Sequence, residues 1–192
     1  MYKRQQYRPT LDVNSFGEQS RDFLLSHDFL PDSLKEAYRG LSEDLLKVVH
    51  QRFQNYPAKA IRTHGDGHVG NILGRGEETW LVDFDDSRMA PAIQDLWMFL
   101  SGENDAQQRA IMELIEGYEE FFEFNPRELH LIEPLRSLRI MHHAAWLAQR
   151  WSDPAFPKAF PWFNTERYWG EHILQLREQL SALQEPSLRL PY

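Results

Sequence analysis

The sequence predicts an α+β fold that is mainly helical, with one small β-hairpin set among the helices. Three observations carry this. Apolar residues recur at three-to-four spacing through most of the chain, the pattern of helices with one buried face. Residues 60–86 alone break that period, with short runs around glycines. Aromatic residues make up 13% of the chain, so a packed interior is expected despite a negative mean hydropathy. With 192 residues there is material for one substantial core and too little for two comfortable domains, so one domain over 1–192 is expected. It divides into amphipathic helices over 18–56, a glycine-rich loop and hairpin over 60–90, and a helical part over 91–185.

In chain order, the first clear element is a helix over 31–54, where Leu34, Ala37, Tyr38, Leu41, Leu45, Val49 and Phe53 share one face. Pro31 opens it and Pro57 ends it. AIRTH is a short run, HGDGHVGN reads as a loop, and NILGRGEETWLVDF reads as two strands around a turn. After Pro91, AIQDLWMFL is expected to start a helix. Asn104 is expected to cap another whose buried stripe is Ile111, Leu114, Ile115, Tyr118 and Phe122. Asn125 followed by Pro126 signals a long helix to about Trp151, kinked at Pro134. The loop SDPAFPKAFPWF leads to a last helix from about Thr165 to Leu183.

Composition excludes several functions. No cysteine is present, which removes disulfides, thiolate metal sites and a cysteine nucleophile. A formal net charge of −8 argues against nucleic acid or an anionic membrane as partner. No apolar run approaches a membrane span, and MYKRQQYRPT has no apolar stretch after its basic residues, so a cytoplasmic location is expected.

The chemistry concentrates between His64 and Asp95. In His64-Gly65-Asp66, four residues separate the aspartate from Asn71, the spacing of the kinase catalytic loop H-R-D-x-x-x-x-N with glycine in place of arginine. Phosphoryl transfer needs a group that orients the attacking hydroxyl and takes its proton, and Asp66 suits that task. It also needs cations over the phosphate oxygens; Mg²⁺ prefers hard oxygen ligands, which suits Asn71 and Asp83. Asp83 opens Asp83-Phe84-Asp85 at the end of an apolar strand, where a kinase D-F-G aspartate would stand. Asp66, Asp83 and Asp85 are expected to converge on one cleft. His64 and His68 read as shapers of the loop, because the reaction already has its base.

Two other readings of the same residues fail. Gly65-Asp66-Gly67-His68-Val69-Gly70 matches G-x-G-x-x-G, but that motif should open a helix and NILGRG does not. A metal hydrolase built on His64, Asp66 and His68 would need a strand where glycines intervene, and leaves Asn71 and the VDFDD acids without a role.

With these residues in hand, the chain resembles the aminoglycoside phosphotransferase-like kinases, which share H-G-D-x-x-x-x-N and a following metal-binding aspartate. A closer similarity, to a stress-response branch of bacterial protein kinases within that family, runs through HGDGHVGNIL, VDFDDSR, PAIQDLWMFL, LIEGYEEFFEF, IEPLRSLRIM, AWLAQRWSDPAFPKAFPW and LQEP. The resemblance implies the C-terminal lobe of a protein-kinase-like fold. It implies ATP as phosphate donor, Asp66 as proton acceptor, Asn71 and Asp83 as Mg²⁺ and nucleotide-phosphate ligands, Asp85 as a helper at a second metal, and Asp95 as a brace for the loop. The closer branch implies Ser and Thr hydroxyls of proteins as acceptors, its own included.

The family also has an N-terminal lobe with a phosphate-covering loop and a strand lysine. Ahead of Asp66 the lysines are Lys3, Lys35, Lys47 and Lys59, and none sits in such a strand. The expectation is therefore a C-terminal lobe without that N-terminal lobe, inactive alone. Two alternatives stay open: a lobe of a small-molecule kinase for aminoglycoside, choline or homoserine-like acceptors, and a non-catalytic remnant acting as a binding or regulatory module.

Overall fold

The computed structural model describes residues 8–190. In chain order the regular elements are α1 (Gln19–Ser26), α2 (Asp32–Asn55), β1 (Ile61–Thr63), β2 (Ile72–Arg75), β3 (Glu78–Leu81), β4 (Arg88–Ala90), α3 (Asn104–Glu119), α4 (Ile132–Gln149), α5 (Ala155–Ala159) and α6 (Glu166–Ala182). Helices dominate, as the sequence predicts, and the β structure is two small antiparallel ribbons where one hairpin was expected. No helix among the described residues is long and apolar enough to cross a membrane.

The chain forms two compact units. One comprises Tyr56–Ile132 with the described residues up to Leu11 and from Ser187 onward; the other comprises Asp12–Asn55 and Glu133–Pro186.

The second unit is a helical core. α2 buries Tyr38, Leu45, Leu46 and Val49, α4 buries Leu135, Leu138, Met141 and Leu147, and α6 buries Trp169, Ile173 and Leu176. Each set recurs at helical spacing, so one stripe per helix is removed from water. The π-helical turn Asn14–Glu18 packs close because Gly17 lacks a side chain; a Cβ there would run into Leu46 and come within 3.0 Å of Leu138. Thr165 caps α6, its hydroxyl oxygen accepting from the Tyr168 N–H at 3.1 Å. The kink expected at Pro134 is absent. α4 starts at Ile132, so Pro134 falls in the first turn, where its missing N–H has no intrahelical partner to lose. The Pro126–Leu131 segment ahead of it is a 3-10 helix, opened by Asn125, whose side chain accepts from the Arg127 N–H.

The first unit carries the β structure. β2 and β3 form the expected hairpin, Ile72 opposite Leu81 and Arg75 opposite Glu78, with Gly76 at φ 63° in the turn. β1 pairs with β4 in a second antiparallel ribbon that the sequence reading missed. Pro9 and Leu11 extend that ribbon through backbone bonds to both sides of Met89.

Three expectations need correction in this unit. Ala92–Leu100 is two 3-10 turns, Ala92–Asp95 and Trp97–Phe99, closed by local i→i−3 backbone bonds, with the Ile93 N–H taken by the Glu128 carboxylate. The cap of α3 is Glu103, which makes no side-chain capping bond, and Asn104 is the first helical residue. Phe122 lies past the end of α3 and is 70% exposed, while Phe124 takes the buried place at 2%.

Candidate active site

β1 delivers the chain into a tight loop that begins at His64. Asp95 accepts two backbone hydrogen bonds there, from His64 N–H at 2.7 Å and Gly65 N–H at 3.0 Å. Gln94 closes the other side, donating through Nε2 to the Gly65 carbonyl at 3.0 Å. Gly65 has φ 85°, and a Cβ would collide with the Asp86 carbonyl oxygen, so only glycine fits. Asp95 and Gln94 thus hold three backbone groups of the loop entry between them.

The two histidines shape the same loop, each through a definite tautomer. His64 is buried, with Nε2 2.8 Å from the Val82 carbonyl, so the proton sits on Nε2 and Nδ1 accepts from the Asp66 N–H at 3.3 Å. His68 Nδ1 accepts from the Gly70 N–H at 3.0 Å, which leaves Nε2–H facing the Asp66 carboxylate at 3.4 Å. Asn71 completes the frame: its Nδ2 donates to the Asp66 carbonyl at 2.9 Å and lies 3.4 Å from Asp66 Oδ2. Asp66 therefore stands in a fixed orientation, its side chain 19% exposed. Val82 N–H donates to the Asn71 carbonyl at 3.0 Å and ties the loop to the hairpin.

Past β3 the chain turns sharply at Asp83, which adopts the left-handed conformation at φ 63° and ψ 64°. For a non-glycine residue this costs on the order of 1 kcal/mol and concentrates at functional turns. Asp83 makes no capping bond with its side chain and is exposed. The Phe84–Asp86 turn follows, with the Phe84 ring 4.6 Å from that of His64. Asp86 is held by Arg88, whose Nε donates to its carbonyl at 2.8 Å and whose Nη2 lies 3.1 Å from its carboxylate.

Among the described residues no group of three His, Asp or Glu side chains is placed to hold a metal ion. The expected metal set, Asn71 with Asp83 and Asp85, is two carboxylates and an amide rather than three such side chains. The turn leaves Asp83 and Asp85 exposed, while the Asp66 side chain is only 19% exposed. By chemistry alone, an amide oxygen and a carboxylate are both ligands that a hard cation accepts. Committing Nδ2 of Asn71 to the Asp66 carbonyl turns the amide oxygen the opposite way, and Asp83 adds an exposed carboxylate.

Two buried polar residues near the loop escaped the sequence reading. Gln94 adjoins Asp95 in PAIQDLW and is 3% exposed; it also accepts from the Trp97 indole N–H at 3.3 Å. Glu128 follows Asn125 by three positions, a spacing that reads as local helix capping. Its carboxylate instead accepts from the Ile93 N–H at 3.1 Å. Burial pushes the Glu128 carboxyl above its ordinary range against the opposing pull of those N–H donors, and burial with Glu128 and Asp95 nearby raises Tyr118.

Residues 10–132 match the phosphotransferase enzyme family. Stress response kinase A of Escherichia coli O157:H7 is 42% identical over 184 residues, covering 96% of this chain. Serine/threonine protein kinase RdoA of Salmonella typhimurium (strain LT2) is 41% identical over 184 residues with the same coverage. The chain spans 56% of the length of both. Among solved structures, a choline/ethanolamine kinase family protein from Mesorhizobium loti aligns with a TM-score of 0.61 at 17% identity, over 92% of this chain and 60% of its own. Spectinomycin phosphotransferase APH(9)-Ia, solved with ADP and spectinomycin, aligns with a TM-score of 0.53 at 19% identity, over 95% and 55%. At those identities the structural likeness speaks to the fold alone, and the match over residues 10–132 together with the sequence relatives carries the assignment: the chain belongs to the phosphotransferase enzyme family.

Proposed function

We propose that this chain carries the acceptor-activating half of a site that transfers the γ-phosphoryl group of ATP to Ser and Thr hydroxyls of proteins. The observation that carries the reading is the frame around Asp66, a carboxylate oriented by His64, His68 and Asn71 on a loop that Asp95 and Gln94 hold from behind.

In this reading the Asp66 carboxylate accepts the proton of the attacking hydroxyl as its oxygen bonds to the γ-phosphorus and ADP leaves. His68 Nε2–H and the Asn71 amide keep that carboxylate turned toward the acceptor. Asn71 and Asp83 would hold Mg²⁺, which neutralises charge on the transferring phosphoryl group when bound. The αL turn serves Asp83 by projecting its carboxylate off the end of β3.

Protein acceptors are favoured over small molecules because the relatives named as stress response and serine/threonine protein kinases share 41–42% of residues over 96% of the chain. The small-molecule kinases share 17–19%. The remaining length of those relatives would supply a second lobe over the phosphates. Exposed apolar side chains beside the loop, including Val69, Leu73, Trp80 and Phe84, suit such a cover.

The test is an incubation with γ-labelled ATP and Mg²⁺. It compares this chain with the chain joined to the unmatched portion of its Escherichia coli relative, each offered a generic protein, an aminoglycoside or choline. Label entering protein from the joined form, and little from the chain alone, is the expected result. Label entering only a small molecule would overturn the acceptor class, and no transfer from either form would leave a binding module.

A further inference from the structure

The loop that carries Asp66 has one short 3-10 turn, Val69–Asn71, and its entry at His64 and Gly65 is held by side chains behind it. Asp95 and Gln94 sit on one short turn, Ala92–Asp95. Between them they take the His64 and Gly65 N–H groups and the Gly65 carbonyl. A 3-10 turn of four residues cannot fix those two side chains by itself, because its first N–H groups have no partner within the turn. Something must hold it in turn.

That partner is Glu128. It is 5% exposed and comes from the Pro126–Leu131 segment, 35 residues away in sequence from Ile93. Its Oε2 accepts from the Ile93 N–H at 3.1 Å. We propose that Glu128 is a positioning residue for the Asp66 loop, acting through the Ala92–Asp95 turn and reaching Asp66 at two removes.

A carboxylate in this place is removed from water, which is costly unless charge-assisted hydrogen bonds offset it. An ordinary capping glutamate would serve its own helix from the surface; Asn125 already accepts from the Arg127 N–H at the start of this one. Glu128 instead spends its acceptor capacity on the turn that presents Asp95 and Gln94. Burial raises its carboxyl above the ordinary range, and the Ile93 N–H pulls the other way.

The consequence for phosphate transfer rests on the proposed function; the mechanical coupling does not. Amide hydrogen exchange on this chain tests the coupling directly, in Glu128→Gln and Glu128→Ala. Glutamine keeps the volume and one acceptor oxygen but removes the charge and puts an NH₂ where the second carboxylate oxygen was. Glu128→Gln is expected to stay folded and to speed exchange at Ile93, and also at His64 and Gly65. The acceleration should reach at least about tenfold, the equivalent of about 1.4 kcal/mol for one lost hydrogen bond. Amides of β2 and β3 should be unchanged. Exchange that rises at Ala92 and Ile93 while His64 and Gly65 keep wild-type rates would overturn the proposal. Should Glu128→Ala unfold, the glutamine variant still decides the matter.

In the joined, full-length form a positioning role predicts a lower kcat with the KM for ATP little changed, because the nucleotide ligands are untouched. A raised KM with kcat intact would contradict it. A wild-type protein that shows the exchange coupling but transfers no phosphate would sink the phosphotransfer reading and leave the brace standing.

Discussion

Replacing Asp95 with alanine removes both hydrogen bonds that fix the entry to the loop, from His64 N–H at 2.7 Å and Gly65 N–H at 3.0 Å. Bonds to a charged acceptor contribute about 1.5–3 kcal/mol each. Asp95 is half-buried, so water can replace part of the loss, and the lower end of the range applies to both. The expected destabilisation is about 3 kcal/mol, which for a chain of this size lowers Tm by roughly 6–12 °C. Asp95→Asn keeps one acceptor and should lose about half as much. Thermal unfolding followed by circular dichroism gives the number, and exchange at His64 and Gly65 locates it. A Tm within about 1 °C of wild type, with those amides still protected, would show that the loop is held by something other than Asp95.

Two further changes probe other parts of the reasoning. His172 is buried in the helical unit with no partner for Nε2, and burial, reinforced by His143, lowers its imidazole to about 4. Unfolding lets it take up a proton near pH 6.5, so this group makes the fold progressively less stable as pH falls from about 7 to 4, by about 3 kcal/mol in total. His172→Phe should remove that fraction of the acid sensitivity without loss at pH 7; urea unfolding at both pH values measures it, and parallel pH profiles for the two proteins would refute the assignment. Gly65→Ala forces a Cβ against the Asp86 carbonyl at φ 85° and should destabilise by at least about 2 kcal/mol; a fully stable alanine variant would mean that the loop can relax.

Much of this was legible in advance, and the exceptions share a cause. The hairpin could be read because NILGRGEETWL carries its own register and its turn glycine. The last helix could be read because Thr165 caps it locally. The second ribbon could not, since Arg88–Ala90 is three residues long and pairs with a strand 25 residues upstream. The two 3-10 turns after Pro91 mimic a helix in composition, and the long-range bonds that Glu128, Gln94 and Asp95 make there leave no local signal in the sequence. The site followed the same division. Asp66 and Asn71 announce themselves by spacing, whereas the left-handed turn at Asp83 and the contribution of Glu128 exist only once the chain has folded.

The separate duties given to Asp66 and Asp83 are the centre of the account, and steady-state phosphotransfer by the joined, full-length form tests them most directly. Asp66→Asn should leave the KM for ATP near wild type while kcat falls by roughly 10²–10⁴, the range of a lost general base. Asp83→Asn should damage both, and extra Mg²⁺ should recover part of its loss. Equal and mild effects from the two substitutions, or transfer that survives Asp66→Asn, would contradict the assignment of Asp66 as the group that takes the proton.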